Sequence, residues 1–117
     1  MFLEKLNTIS SRIPGALALS LVDRDGITVE SVSADPSLDL EALAAEMTAQ
    51  HQSMTENHRE LSGGPVELLS LTTDRVTLMV SSVARDFYLL LVLNREGSQG
   101  RARFELRRAE LLLADDL

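Results

Sequence analysis

His51 and His58 are the chain's only histidines, and paired imidazoles are the first candidates for metal or proton-transfer chemistry. They stand seven residues apart, whereas a zinc site on a helix takes ligands at i, i+3 or i, i+4 and completes its set with thiolates or carboxylates. The chain has no cysteine and no suitably spaced carboxylate cluster, so no metal is implied. A step of seven instead puts both rings on one helical seam, where protonation below about pH 6.5 would add like charge to an interface. Asp23-Arg24-Asp25-Gly26 opens like a calcium loop, but the remaining EF-hand oxygens do not follow at their positions, and a structural turn is expected. Ser10, Ser11, Ser20, Ser31, Ser33, Ser81 and Ser82 supply hydroxyls without a G-x-S-x-G elbow to present one as a nucleophile. Lys5 is the only lysine, so the phosphate-cradling pattern G-x-x-x-x-G-K-[ST] cannot be met. No catalytic, cofactor or metal residue is assigned, and the chain is read as non-enzymatic. Arg95, Arg101, Arg103, Arg107 and Arg108 form a basic cluster with two readings: a solvated helix face with Arg101 and Glu105 paired at i, i+4, or a dock for an acidic partner.

Composition bounds the rest. At 117 residues and 44% hydrophobic content, one domain spanning residues 1–117 is expected, with a core of its own. A formal charge of -7 opposes a phosphate backbone, so nucleic acid is not an expected partner. The longest apolar run, Phe87 to Leu93, is far below the roughly 20 residues of a membrane-spanning helix, and membrane insertion is not expected. Without a charged segment leading into an apolar one at the start, and without cysteines, the expected location is cytoplasmic.

These residues must be positioned by a recognisable series of elements. Phe2, Leu6, Ile9 and Ile13 make one face of a first helix, which Pro14-Gly15 stops. Ala16 to Val22, the Asp23-Arg24-Asp25-Gly26 turn and Ile27 to Val32 make a hairpin. A long helix is expected from an Asp35-Pro36 cap to about Leu61, with a seam of Leu40, Ala44, Met47, His51, Met54, His58 and Leu61 at alternating steps of four and three. At 1.5 Å per residue about 25 residues span roughly 37 Å, beyond the 20 to 25 Å width of five strands, so the helix overhangs or meets another copy. Val66 to Leu71, Val76 to Val83 and Phe87 to Leu93 follow as a meander. A final helix beyond Gly97 sets Ala102, Leu106, Ala109 and Leu113 in register, with Phe104, Leu111 and Leu112 extending its apolar surface. Asp115 and Asp116 lie at the negative end of its dipole, so the last residues are expected to fray.

The first, fourth and fifth strands are apolar on both faces and belong at the centre, while Thr28, Glu30 and Ser31 of the second and Glu67 and Ser70 of the third suit edges. The order 2-1-5-4-3 satisfies all five strands. Helices on both faces then give a three-layer α/β/α sandwich with a five-stranded antiparallel sheet and topology α-ββ-α-βββ-α.

With Ile13-Pro14-Gly15-Ala16 leading into Leu21-Val22-Asp23-Arg24-Asp25-Gly26, and the glycine-spaced run Asn94 to Phe104 before the final helix, the chain resembles the Roadblock family of dynein light-chain Roadblock and prokaryotic MglB-like proteins. The resemblance covers nearly the whole chain and implies a Roadblock/profilin-like fold. It further implies a homodimer whose third strands pair edge to edge and whose long helices lie side by side, forming a platform for a small Ras-like, MglA-like GTPase. The self-association residues are then Met47, His51, Met54 and His58 on the helix and Val66, Leu68 and Ser70 on the third strand. Gln50, Gln52, Asn57 and Arg59, flanking the seam, are the expected partner-binding surface. A scaffold for another protein, and a small-ligand sensor domain, are the alternatives.

Overall fold

Strands with apolar side chains on both faces are stable only where both faces are covered, and three such strands decide this architecture. The computed structural model describes residues 2–117 in backbone and, outside residues 58–62, in side chains. Helix α1 (Phe2–Ser11) precedes strands β1 (Ala16–Asp23) and β2 (Thr28–Ser33), helix α2 (Leu40–Ser62) and strands β3 (Leu68–Thr72), β4 (Val76–Val83) and β5 (Phe87–Asn94). Helix α3 (Gln99–Leu113) and a 3-10 turn at Ala114–Asp116 complete the chain. The sheet has the order β2-β1-β5-β4-β3, every neighbouring pair antiparallel. The doubly apolar β1, β5 and β4 hold the centre, and the more polar β2 and β3 form the edges.

Helices α1 and α3 cover one face, closing a core that includes Leu6, Ile9, Leu19, Leu21, Met79, Leu89, Leu91, Leu106 and Leu113. Helix α2 covers the other, setting Ala44 and Met47 against Ala18, Val22, Leu78, Val80, Leu90 and Val92. This second contact is smaller and partly polar, because Thr48, His51 and Ser20 are buried among these apolar groups. Polar groups reduce the apolar area removed from water, so α2 is held less firmly than the opposite layer. Among the described residues no helix is long and apolar enough to cross a membrane.

Three local expectations are corrected. The long helix begins at Leu40 and not at Asp35-Pro36. The Asp35 carboxylate instead accepts from the Ser37 hydroxyl at 2.6 Å and the Ser37 amide at 3.0 Å, closing a local turn that spends its capping capacity. These bonds, the hydroxyl's first, hold the Asp35 carboxyl below the usual aspartate range. The cap falls to Asp39, whose carboxylate accepts the Ala42 amide at 3.1 Å, the bond an N-cap makes with N3. Phe104 and Leu111 do not join the core. They are 55% and 81% exposed, since the buried stripe runs through Ala102, Leu106, Ala109 and Leu113 and both residues fall on the far side of the helix.

The C-terminal turn, expected to fray, is formed and tied to α1. The only lysine, Lys5 of α1, donates to the Leu112 carbonyl at 3.1 Å and ion-pairs with the Asp116 carboxylate, placing a cation where the helix dipole is negative. Leu117 then packs on the α1/α3 core. Lys5→Met is expected to lower stability by about 1 kcal/mol, because the site is only half-buried. Urea denaturation checks this, and an unchanged midpoint would show that the ion pair contributes nothing.

Candidate functional site

A charged concavity next to α2 is built by two hairpin turns brought to the same end of the sheet. In the first, the Asp23 carboxylate accepts the amides of Asp25 and Ile27 at 2.9 and 3.0 Å, so this carboxylate serves the turn. Gly26 has φ +82°, and a Cβ there would lie 3.2 Å from the Ala45 Cα. Only a residue lacking a side chain lets this turn rest directly on the α2 backbone. Gln52 of α2 donates to the Arg24 carbonyl at 2.7 Å and fixes the contact from the helix side. The β4–β5 turn begins at Ala84, with φ 55°, and carries Arg85 and Asp86. Antiparallel pairing of Asp23 with Phe87 sets it beside the first, where Arg24 Nη1 lies 3.5 Å from Asp86 Oδ1. That pair is exposed and contributes under about 1 kcal/mol.

Between the turns and α2 lies a cleft of about 410 Å³ lined by Arg24, Asp25, Gln52, Thr55, Glu56, Arg85, Asp86 and Tyr88. Two guanidinium groups, three carboxylates and a phenol give it alternating charge, a surface suited to reading another protein's charged groups. Among the described residues no group of three histidine, aspartate or glutamate side chains converges as a metal site would require.

Behind the cleft, the His51 ring meets the Tyr88 ring edge-on at 4.9 Å between centroids. Its Nε2 lies 3.4 Å from the Glu67 carbonyl, to which it donates when that nitrogen carries the proton. Burial lowers the His51 pKa below 6.5, and the hydrogen bond to Glu67 opposes the shift only in part. The folded chain therefore binds this proton less readily than the unfolded chain. The stability carried by the neutral ring is full above about pH 6.5 and is lost as pH falls through the depressed folded value. The melting temperature should drop between pH 7 and pH 5, and His51→Gln should flatten that slope. Equal slopes in both proteins would refute the assignment.

The sequence-assigned residues divide between inside and outside. Met47 and His51, assigned to a seam between two copies, are 3% exposed within one chain. The protomer's own sheet occupies that stripe, so they do not face a second copy. Met54, two turns on from Met47, is exposed at 36%. Val66 is half-buried and donates its amide to Thr55 Oγ1 at 3.1 Å; Leu68 packs partly on the α1/α3 core. Ser70 is exposed, its hydroxyl 3.4 Å from Gln99 Oε1. Leu71, which the sequence reading passed over, is the most exposed apolar residue of this edge at 49%. Gln50 and Asn57 are exposed and bond within α2, to Glu46 and Ser53, while Gln52 lines the cleft. His58 and Arg59 lie outside the described residues.

The arginine cluster resolves into three groups. Arg101 and Arg108 converge on Glu105 at 3.6 and 3.1 Å, and that carboxylate is 1% exposed. The expected pair is therefore half of a clamp around a buried charge, with Arg108 the partner that the i, i+4 pattern misses. Arg95 donates to the Thr73 carbonyl at 2.7 Å. Arg103 and Arg107 make no ion pair among the described residues.

A five-stranded antiparallel sheet of this order, with one long helix on one face and two on the other, defines a Roadblock-type sandwich. The Roadblock/LC7 domain family profile matches residues 6–94, and the chain belongs to that family. No curated protein matches it. Among solved structures, a Roadblock/LC7 domain from Streptomyces avermitilis superposes with TM-score 0.85 at 18% identity, over 96% of this chain and 93% of that one. An MglB with a tetrameric arrangement gives 0.87 at 21% identity, over 97% and 85%. MglC from Myxococcus xanthus gives 0.69 at 27% identity, over 99% and 98%.

Proposed function

We propose that this chain is a self-associating, non-enzymatic adaptor that binds a small Ras-like, MglA-like GTPase through α2 and the adjoining cleft, and so alters nucleotide hydrolysis or exchange on the partner. The observation that carries this reading is the cleft itself. The Arg24-bearing turn is locked to α2 by Gly26 and Gln52, and the Arg85-bearing turn stands beside it through the Arg24–Asp86 pair, extending the helix into a charged surface. Resemblance to MglB-like proteins supplies the partner class, and the tetrameric arrangement of one MglB structure supports self-association. The pattern of residues supplies no phosphate-cradling Gly-Lys loop, so catalysis belongs to the GTPase.

The test is a calorimetric titration of this chain with the MglA-like GTPase of the same cell, loaded with GDP or a non-hydrolysable GTP analogue. Arg24→Glu combined with Arg85→Glu is expected to lower affinity by about 1 to 3 kcal/mol, with folding unchanged because both side chains are exposed. Binding that ignores this reversal would remove the cleft from the interface. Failure to bind the GTPase in either nucleotide state would favour a scaffold for a different protein.

A further inference from the structure

On the opposite helical layer from α2, a second concavity of about 1030 Å³ runs between α3 and the segment joining α2 to β3. One wall carries Arg103 and Arg107; the other carries Pro65 and Val66, with Leu68 and Leu106 among the remaining lining residues. The two arginines are exposed and make no hydrogen bond or ion pair with any described residue. Arg101 and Arg108, on the same helix, are tied to Glu105. Glu67 and Glu110 also line the groove, so its positive charge is confined to the α3 wall, where the two unpaired guanidinium groups stand one turn apart.

We propose that this groove binds an extended acidic peptide segment in which two carboxylates flank one apolar residue. Arg103 and Arg107 are one helical turn apart, a rise of about 6 Å. In an extended chain, side chains i and i+2 project to the same side about 6.6 Å apart, and i+1 projects the opposite way. Two acidic residues at i and i+2 therefore match the two guanidinium forks, which favour carboxylates, while the residue between them meets Pro65 and Val66 across the groove. Glu110, less than a turn beyond Arg107, also lines the groove and repels a third carboxylate, which limits the motif to two. The groove lies across the sheet from α2, so its occupant and a partner on α2 do not compete. The inference stands whether or not that partner is a GTPase.

Fluorescence anisotropy with the intact protein tests it, using a short labelled peptide with Glu-Leu-Glu at its centre and serine and glycine flanks. Replacing the core by Gln-Leu-Gln, or making Arg103→Gln with Arg107→Gln in the protein, is expected to weaken binding at least about tenfold. A Glu-Ser-Glu core should weaken it by a smaller factor, and Arg75→Gln, at an exposed arginine outside the groove, should leave it unchanged. Circular dichroism confirms that the exposed substitutions leave the fold intact. Equal binding of the Glu and Gln peptides, or indifference to the double arginine variant, overturns the proposal. So does binding to phosphatidylglycerol vesicles through the same arginines with no peptide binding, which would assign the groove to a lipid surface. Exclusion of the peptide from the self-associated protein would overturn it too, assigning the groove to a contact between copies.

Discussion

If the native chain self-associates at micromolar concentrations as proposed, aspartate at both Met54 and Leu71 is expected to leave a species of 12.8 kDa. Strand β3 ends the sheet, so its outer amides and carbonyls lack strand partners, and a short edge with an exposed leucine invites pairing with another chain. Leu71 pairs with Leu78, which belongs to the core beneath α2, and directly paired residues share a face. Leu71 and Met54 are thus apolar side chains exposed on the same side of the sheet, one on its edge and one on the helix above. A second copy paired at β3 would desolvate both. An unpaired carboxylate buried at such a contact costs several kcal/mol, so the double variant should associate at least about a hundredfold more weakly. Because both positions are exposed in the single chain, circular dichroism and melting temperature should change little. Sedimentation showing the variant and native chain with the same mass would exclude these surfaces. A native chain that remains at 12.8 kDa would exclude self-association altogether.

The sheet order was legible because apolarity on both faces is a property of single strands and needs no knowledge of contacts. The seam of α2 was legible as a periodicity but not as an assignment. Steps of three and four through Ala44, Met47 and His51 look the same whether the covering surface is another helix or the chain's own sheet, and here it is the sheet. The start of α2 was misplaced for a related reason. Asp35 and Asp39 are both competent caps, and Ser37, two residues after Asp35, decides between them by occupying its carboxylate. Glu105 was hidden among arginines that suggested a solvated face. Its place beside the stripe of Ala102, Leu106 and Ala109 was the available signal that it is buried. The α2 cleft is assembled from three distant segments, and of its lining residues the sequence reading assigned only Gln52 to a partner surface, taking Arg24 and Asp25 as a structural turn. Its signal was the pair of charged turn tips, Asp23-Arg24-Asp25 and Arg85-Asp86, which the order 2-1-5-4-3 brings to one end of the sheet.

Gly26→Val is expected to destabilise the chain by about 2 to 4 kcal/mol and to dismantle the cleft. At φ +82° a β-branched residue is in the left-handed region at a cost of about 1 to 3 kcal/mol. The added Cβ would also stand 3.2 Å from the Ala45 Cα, a backbone atom of α2 that cannot yield as a flexible side chain would. The turn must then lift from the helix. Lifting it breaks the Gln52 bond to the Arg24 carbonyl and withdraws Arg24 from the charged rim, so partner affinity should fall even at temperatures where the variant is fully folded. Asp23→Ala provides the contrast. It removes the two bonds that close the turn without pushing against α2, and should cost only about 1 to 2 kcal/mol. Urea denaturation orders the two variants, and titration with the partner well below their melting temperatures separates lost stability from lost surface. If Gly26→Val is as stable as the native chain, the turn does not rest on α2. If it is destabilised yet binds the partner with native affinity, the turn is structural only and the partner reads α2 alone.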